Sequence, residues 1–328
     1  MLNSASGSSN LARGYTIALI CAAILSTTAI FIRYLTQTYH MPPLVLALWR
    51  DGLVAFTLLP VLGLLYPSLL RVNPRDLRYL TVYGLVLAIF NSLWTISVSL
   101  AGAAIATVLV YSSAAYTALL GWWLLKERLG WAKLLAVAFS LGGCVLVAGA
   151  LDPAAWRGNP VGILTGILSG LCYAAYTLMG RSASQRGLNP WTTLLYTFGL
   201  AAVFLLLFNL LPGRLLPGNA THPADLFWLR DSLAGWGILL LLAAGPTVVG
   251  FGLYNVSLGY LPASVANLIV TLEPVFTTVI AYFLLGERLS NSQLGGSLMI
   301  LAGVLFLRIY EGWLAGQAQS KERQAASV

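Results

Sequence analysis

The chain contains a second copy of part of itself. Shifted by 160 positions, Leu124, Leu125, Glu127, Arg128 and Leu129 fall on Leu284, Leu285, Glu287, Arg288 and Leu289. Upstream in the same register, Ala103, Ala106, Val110 and Thr117 meet Ala263, Ala266, Val270 and Thr277, and downstream Leu134, Leu141 and Gly143 meet Leu294, Leu301 and Gly303. An ungapped register of this length marks a duplicated structural unit, which any fold must accommodate twice.

The unit is built from apolar runs long enough to cross a bilayer, which takes about 20 residues. Ten such runs are expected: Tyr15–Ile32, Pro43–Tyr66, Leu77–Leu100, Ala103–Leu125, Trp131–Ala150, Val161–Gly180, Trp191–Leu211, Trp236–Tyr260, Ala263–Leu285 and Gln293–Tyr310. They are continuously apolar rather than alternating, so they are read as helices and not as barrel strands. Composition agrees. Of 328 residues 59% are hydrophobic and only 9% charged, with mean hydropathy +0.83. A soluble domain carries roughly 25% charged residues.

The basic balance, +8 with a pI near 9.5, could point to nucleic acid, but the Lys and Arg residues sit singly in short loops without a patch. On a membrane protein they report orientation instead. With the N-terminus inside, Arg13, Arg71, Arg75, Arg78, Lys126, Arg128, Lys133, Arg181, Arg186, Arg308, Lys321 and Arg323 fall on the cytoplasmic side. Arg33, Arg157, Arg214, Arg230 and Arg288 fall outside. Both termini are therefore expected in the cytoplasm, on a multi-pass protein of the plasma membrane, the inner membrane in a bacterium. The first run ends at Arg33 without a cleavage pattern, so it reads as a span rather than a leader.

The repeat extends over both halves. Gly14 and Arg33 match Gly162 and Arg181; Pro43, Leu48, Gly52 and Leu53 match Pro190, Leu195, Gly199 and Leu200; Trp94 and Ser97 match Tyr254 and Ser257. The expected plan is an all-α membrane protein of ten transmembrane helices in two inverted five-helix repeats. Residues 1–13 form a disordered cytoplasmic N-terminus, 14–150 the first repeat, 151–160 a linker, 161–310 the second repeat and 311–328 a cytoplasmic tail. Five spans per copy force the second to sit upside down. Such pairs can exchange between inward-open and outward-open states, with a substrate site near the midplane. The alternative is a non-transporting membrane scaffold or partner subunit.

The motifs are specific enough to name a resemblance. Leu272-Glu273-Pro274-Val275 followed by Leu284-Leu285-Gly286-Glu287-Arg288-Leu289 resembles the second half of an EamA-type member of the drug/metabolite transporter superfamily, and Leu124-Leu125-Lys126-Glu127-Arg128-Leu129 resembles its first half. The first copy has Lys126 where glycine is usual and Ala114 where proline is common, which implies a straighter fourth helix. The resemblance covers about Gly14 to Tyr310. It implies a secondary transporter, often an exporter of amino acids or other small metabolites, with lipid and a small solute as partners.

Other chemistry finds little support. There is no Walker A loop for an ATP-driven pump. His40 and His222, the only histidines, fall in predicted loops, and Cys21, Cys144 and Cys172 lie inside apolar runs as small core residues. No protease-like Gly-x-Ser-Gly setting occurs. Neither an enzyme nor a cofactor is expected.

Candidate residues for a substrate path are Trp49, Arg50, Asn91, Trp94, Tyr111, Tyr173, Tyr176, Tyr254, Asn255 and Glu273. Trp49 and Trp94 lie deeper than the tryptophans at span ends. Asn91 with Trp94, and Tyr254 with Asn255, form stripes at repeat-matched levels, the two led by Trp94 and Tyr254 being expected to face one cavity at similar depth. Each aromatic could equally be core filler. Glu127-Arg128 and Glu287-Arg288 sit at helix ends, where Glu can cap the following helix. Arg50, Asp51 and Glu273 are charges placed well inside spans, where each costs about 2.5–3.5 kcal/mol on insertion scales and so wants a partner. Adjacent residues do not face each other on a helix, so Arg50 is expected to meet Glu273 or Asp51's neighbours across the midplane, with Glu273 exchanging a coupling proton. The alternative is that Arg50 snorkels outward and Glu273 bonds the backbone of a neighbouring helix.

Overall fold

The structure is a computed structural model that describes residues 2–101, 103–156, 160–211, 216, 218–220, 222–285 and 290–325. It is all-helical, with no strand among the described residues. The order is α1 (Leu2–Leu25), α2 (Thr28–Thr38), α3 (Pro43–Leu65), α4 (Pro74–Ala101), α5 (Ala103–Tyr111), α6 (Ser113–Leu124) and α7 (Trp131–Val147). Then follow α8 (Pro160–Gln185), α9 (Pro190–Asn209), α10 (Leu233–Leu242), α11 (Gly252–Tyr260), α12 (Ala263–Val270), α13 (Glu273–Leu285) and α14 (Asn291–Ala325). A π-helical segment, Ala243–Phe251, joins α10 to α11.

Eight described stretches are long and apolar enough to cross a membrane, and two shorter apolar helices, Trp131–Val147 and Ala263–Thr277, accompany them. Large apolar side chains such as Phe56, Leu64, Phe283, Leu298 and Ile309 point outward, as lipid-facing residues do. α1 begins at Leu2, inside the Ser-rich stretch read above as disordered, and α14 runs into the polar tail as far as Ala325. Extending a helix already nucleated in an apolar span costs little per residue.

Several spans are not continuous, and each interruption has a local chemical cause. In the first, Ser26 Oγ and Thr27 Oγ1 donate to the carbonyls of Ala23 (2.6 Å) and Ile24 (2.7 Å), turning the chain between α1 and α2. In the fourth, Ser112 Oγ donates to Leu109 O at 2.5 Å and the Ser112 amide follows it at 3.2 Å. The break between α5 and α6 therefore needs no proline, and the straighter helix inferred from Ala114 is corrected. In the eighth, Pro246 has no N–H to give Leu242 O, and the Thr247 hydroxyl supplies that donor at 2.8 Å. In the ninth, Pro274 opens α13, and Thr271 N and Oγ1 both turn back to Leu268 O.

Both termini lie at one end of the bundle, where Tyr15 Oη donates to Glu311 Oε2 at 2.7 Å and Arg308 covers the Tyr15 ring. This will be called the terminal end. Arg13 stands over Tyr260, so α11 finishes there, and α8 finishes there too, with Arg181 Nη1 donating to Leu258 O at 2.6 Å. α1 and α8, the openings of the two copies, thus point in opposite directions. α4 runs antiparallel to α8, tied at one end by Tyr79 Oη to Met179 O (2.6 Å) and at the other by Ser97 Oγ to Gly162 O (2.8 Å).

α7 and α14 approach most closely through glycine. A Cβ on Gly143 would lie 2.5 Å from Ile300 Cγ1 and 2.6 Å from Gly296 O, while one on Gly295 would meet nothing within 4 Å. Overpacking of a close contact costs about 1–3 kcal/mol. Gly143→Val is expected to lower the melting temperature of the detergent-solubilised protein and Gly295→Ala to leave it unchanged or higher. Equal melting of the two variants would contradict this packing.

Candidate functional site

Four of the interrupted helices converge on one cavity of about 250 Å³. Leu25 and Thr28 flank the break in the first span; Val110 and Tyr111 close α5; Phe251 ends the π segment; Glu273 and Pro274 open α13. Phe90, Asn91 and Trp94 of α4, Arg50 of α3, Thr107 of α5 and Tyr173 of α8 complete most of the wall. A helix whose ladder is broken exposes backbone that must be satisfied by protein or by a cavity, so polar space collects where breaks meet. Thr277 Oγ1 shows the principle directly, donating across to the Ser26 carbonyl at 3.0 Å.

The charges sort into two groups. Arg50 Nε donates to Asp51 Oδ1 at 3.0 Å, and Asn91 Nδ2 donates to Asp51 Oδ2 at 2.7 Å. Asp51 is fully buried, with both oxygens engaged. Arg50 therefore pairs with its sequence neighbour and not with Glu273. The i,i+1 rule concerns where Cβ atoms point, and the three methylenes of Arg50 let its guanidinium curl back to the adjacent carboxylate. Glu273 is half-buried in the cavity wall, with Tyr111 on the same wall. No basic side chain bonds it among the described residues.

Six of the ten sequence candidates thus line one space: Arg50, Asn91, Trp94, Tyr111, Tyr173 and Glu273. Three others form the layer between the cavity and the terminal end. Tyr254 stacks under Tyr173 with ring centroids 6.3 Å apart, and its hydroxyl meets Thr177 Oγ1 at 2.8 Å. Tyr176 stacks on Tyr173 and against Phe251, and Asn255 is buried on α11. Trp94 and Tyr254 consequently do not share the wall; one faces the cavity and the other supports its floor. Trp49 lies elsewhere, at the opposite end, donating Nε1 to Leu226 O and packing on Phe227 and Trp236.

Beneath the floor the two halves are stitched by polar side chains. Ser113 Oγ donates to Asn267 Oδ1 (3.2 Å), and Asn267 Nδ2 donates to Thr177 Oγ1 (3.1 Å). At the terminal end Glu127 accepts from Ala263 N (2.6 Å), Ser264 N (3.3 Å) and the Ser264 hydroxyl, and Lys133 Nζ donates to Ser264 Oγ at 2.8 Å. Glu127 is thus a cap, but of α12 in the other half rather than of the helix that follows it. Carboxylates suit a helix N-terminus because its first amides lack intrahelical acceptors. The equivalent turn around Glu287 and Arg288 lies outside the described residues. Sequence reasoning missed Thr28, Thr107, Phe251 and Thr277. The available signal was the hydroxyl triplet Ser26-Thr27-Thr28 and Pro246 inside otherwise apolar runs.

Comparison with known proteins agrees with this architecture. A model of the EamA-like transporter family matches residues 12–149 and again 160–309. An uncharacterized transporter of Archaeoglobus fulgidus is 31% identical over 67% of this chain and 73% of its own length. A protein of Salmonella typhimurium described as a probable amino-acid metabolite efflux pump is 30% identical over 83% of this chain and 87% of its own. A solved crystal structure 16% identical superposes with TM-score 0.71, covering 91% of this chain and 98% of that one, which speaks to the fold alone.

Trp94 is half-buried at the cavity, whereas Tyr254 is enclosed. Trp94→Ala is expected to leave the folded yield intact. Tyr254→Ala removes an enclosed ring and a partner of Thr177, a class of change worth about 3–5 kcal/mol, and is expected to lower the yield and the melting temperature. Equal loss in both variants would place Trp94 in the packed layer as well.

Proposed function

Because the chain belongs to the EamA-like transporter family, and so is a multi-pass membrane transporter, we propose that it is a secondary carrier exporting amino acids or related small metabolites. In this reading its spans form ten crossings in two inverted five-helix repeats, residues 14–150 and 161–310, and it works by alternating access in the plasma membrane. The observation that carries the reading is the cavity where the interrupted helices meet, walled by both halves and sealed from the terminal end by bonds between them. The opposite directions of α1 and α8 support the inversion. Export of an amino-acid metabolite is supported by what the Salmonella relative is called.

The terminal end is the cytoplasmic one in this assignment, since most loop Lys and Arg residues lie there. The present conformation is then closed to the cytoplasm. Opening it requires Glu127 to leave the α12 N-terminus and Asn267 to part from Ser113. The carboxyl of Glu273, in the wall and free of any ion pair among the described residues, is the group assigned to carry a coupling proton.

Purified protein in proteoliposomes is expected to accumulate or release labelled amino acids from a mixture under an imposed pH gradient, and Glu273→Gln to lose the gradient dependence while keeping its fold. Absence of flux with every gradient tested would favour a scaffold, and a gradient-dependent Glu273→Gln protein would move the proton to another group. Topology is checked separately. Cysteines at Ser68 and Ser184 are expected to label only from the cytoplasm and one at Ser232 only from outside, and exterior labelling at Ser184 would overturn the inverted arrangement.

A further inference from the structure

The cavity has an unbalanced charge and an aromatic lining. Arg50 contributes a positive charge to the wall, but Asp51 directly behind it contributes a negative one, and the pair is closed at 3.0 Å with Asn91 on the remaining carboxylate oxygen. Glu273, on the same wall as Tyr111, has no ion-pair partner among the described residues. The charge that the walls leave uncompensated is therefore a carboxylate.

Around that carboxylate stand the rings of Phe90, Trp94, Tyr111, Tyr173 and Phe251. Phe90 and Tyr173 are already stacked at 5.1 Å, so they present a fixed apolar surface rather than mobile side chains. A carboxylate and several aromatic side chains lining one small space are complementary to a positively charged nitrogen carrying an apolar body.

An anion fits poorly for the same reason. A carboxylate would meet Glu273 as a like charge, and the charge of Arg50 on the same wall is already neutralised by Asp51. A zwitterion gains Glu273 at its nitrogen but brings a carboxylate into the same small space. A neutral solute gains the rings but not the carboxylate.

We propose that this cavity selects organic ammonium ions, the nitrogen held by the Glu273 carboxylate and the apolar body lying between Phe90, Trp94, Tyr173 and Phe251. The inference rests on the carrier reading for what happens after binding, but not for binding itself. Within the metabolites assigned to the carrier, it places amines and amine-ended derivatives ahead of free amino acids.

Four phenyl compounds of similar length separate the cases: 2-phenylethylamine (cation), phenylalanine (zwitterion), 3-phenylpropionate (anion) and 2-phenylethanol (neutral). Binding of each to the full-length protein in detergent at neutral pH is read by quenching of tryptophan fluorescence and by shift of the melting temperature. 2-Phenylethylamine is expected to bind about tenfold or more tighter than the other three, a difference of about 1.4 kcal/mol or more. Glu273→Gln is expected to erase that advantage while leaving 2-phenylethanol unchanged, and Glu273→Asp to restore part of it. Equal or tighter binding of phenylalanine or 3-phenylpropionate, binding of none of the four, or an amine preference that survives in Glu273→Gln overturns the proposal. Should Glu273→Gln fail to fold, the ranking of the four compounds on the unmodified protein decides alone. Proteoliposome flux keeps the two readings apart. A protein that moves other solutes but rejects the amine remains a carrier without this selectivity; one that binds the amine and moves nothing keeps the site and loses the carrier.

Discussion

A backbone carbonyl that loses its helical donor inside a bilayer has no water to turn to, and each unsatisfied group there costs several kcal/mol. That constraint explains why this chain can break its spans only where side chains repair the ladder. Ser26, Thr27, Ser112, Thr247 and Thr271 each donate a hydroxyl to a carbonyl three to five residues back. The repair is local in these cases and comes from the other half at Ser26, whose carbonyl is met by Thr277. Where the repaired breaks come together, backbone can approach a small polar space without exposing itself to lipid, and that is where the cavity sits.

The same constraint shapes the energy of the closed terminal end. Burying Glu127, Lys133, Asn267, Thr177 and Ser113 between helices is tolerable because they bond one another and the open amides of α12. None of those bonds lies within a single helix. They join α6, the loop after it and α7 to α12, and α12 to α8. Directional polar bonds thus run through the seal between the halves beside buried apolar residues such as Ala114, Ala118, Val265 and Leu268, while the α7–α14 contact is held by close packing at glycine. A polar seam can separate and be rehydrated at modest cost, whereas an apolar interface of equal size would expose surface that water disfavours.

Much of the architecture was legible in the sequence because it follows from length and hydropathy. The apolar runs come from counting residues across a layer of known thickness and the duplicated register from laying the chain on itself, and α1 and α8 do run in opposite directions. The interruptions were less legible. Ser112 sits in a run whose composition is that of any helix, and what breaks it is a hydroxyl turned back on its own carbonyl. Arg50 and Asp51 misled because a rule about Cβ directions was applied to a side chain long enough to evade it. Glu127 was read as a cap and is one, but its helix lies 136 residues further on, at Ala263. Spacing along one chain segment carries no information about such a partner. Of the cavity wall, the residues found by sequence were aromatic and amide side chains and the charges inside spans; the threonines at the breaks resemble ordinary helix residues.

The duplicated register also accounts for an asymmetry between the ends. Glu127 of the first copy corresponds to Glu287 of the second, yet the residues that complete its binding do not correspond. Ser264, which gives Glu127 an amide and a hydroxyl and accepts from Lys133, stands opposite Ala104, which has no hydroxyl to offer. Lys133, whose ammonium lies 4.0 Å from the Glu127 carboxylate, stands opposite Gln293, which carries no charge. The sequence thus carries the acidic residue of this latch in both copies and the residues that hold it in one. In the alternating-access reading proposed above, identical latches would hold the two access states at equal energy; Ala104 and Gln293 lack the hydroxyl and the cation that Ser264 and Lys133 supply. The conformation closed at the terminal end is the one in which the better-furnished latch is made.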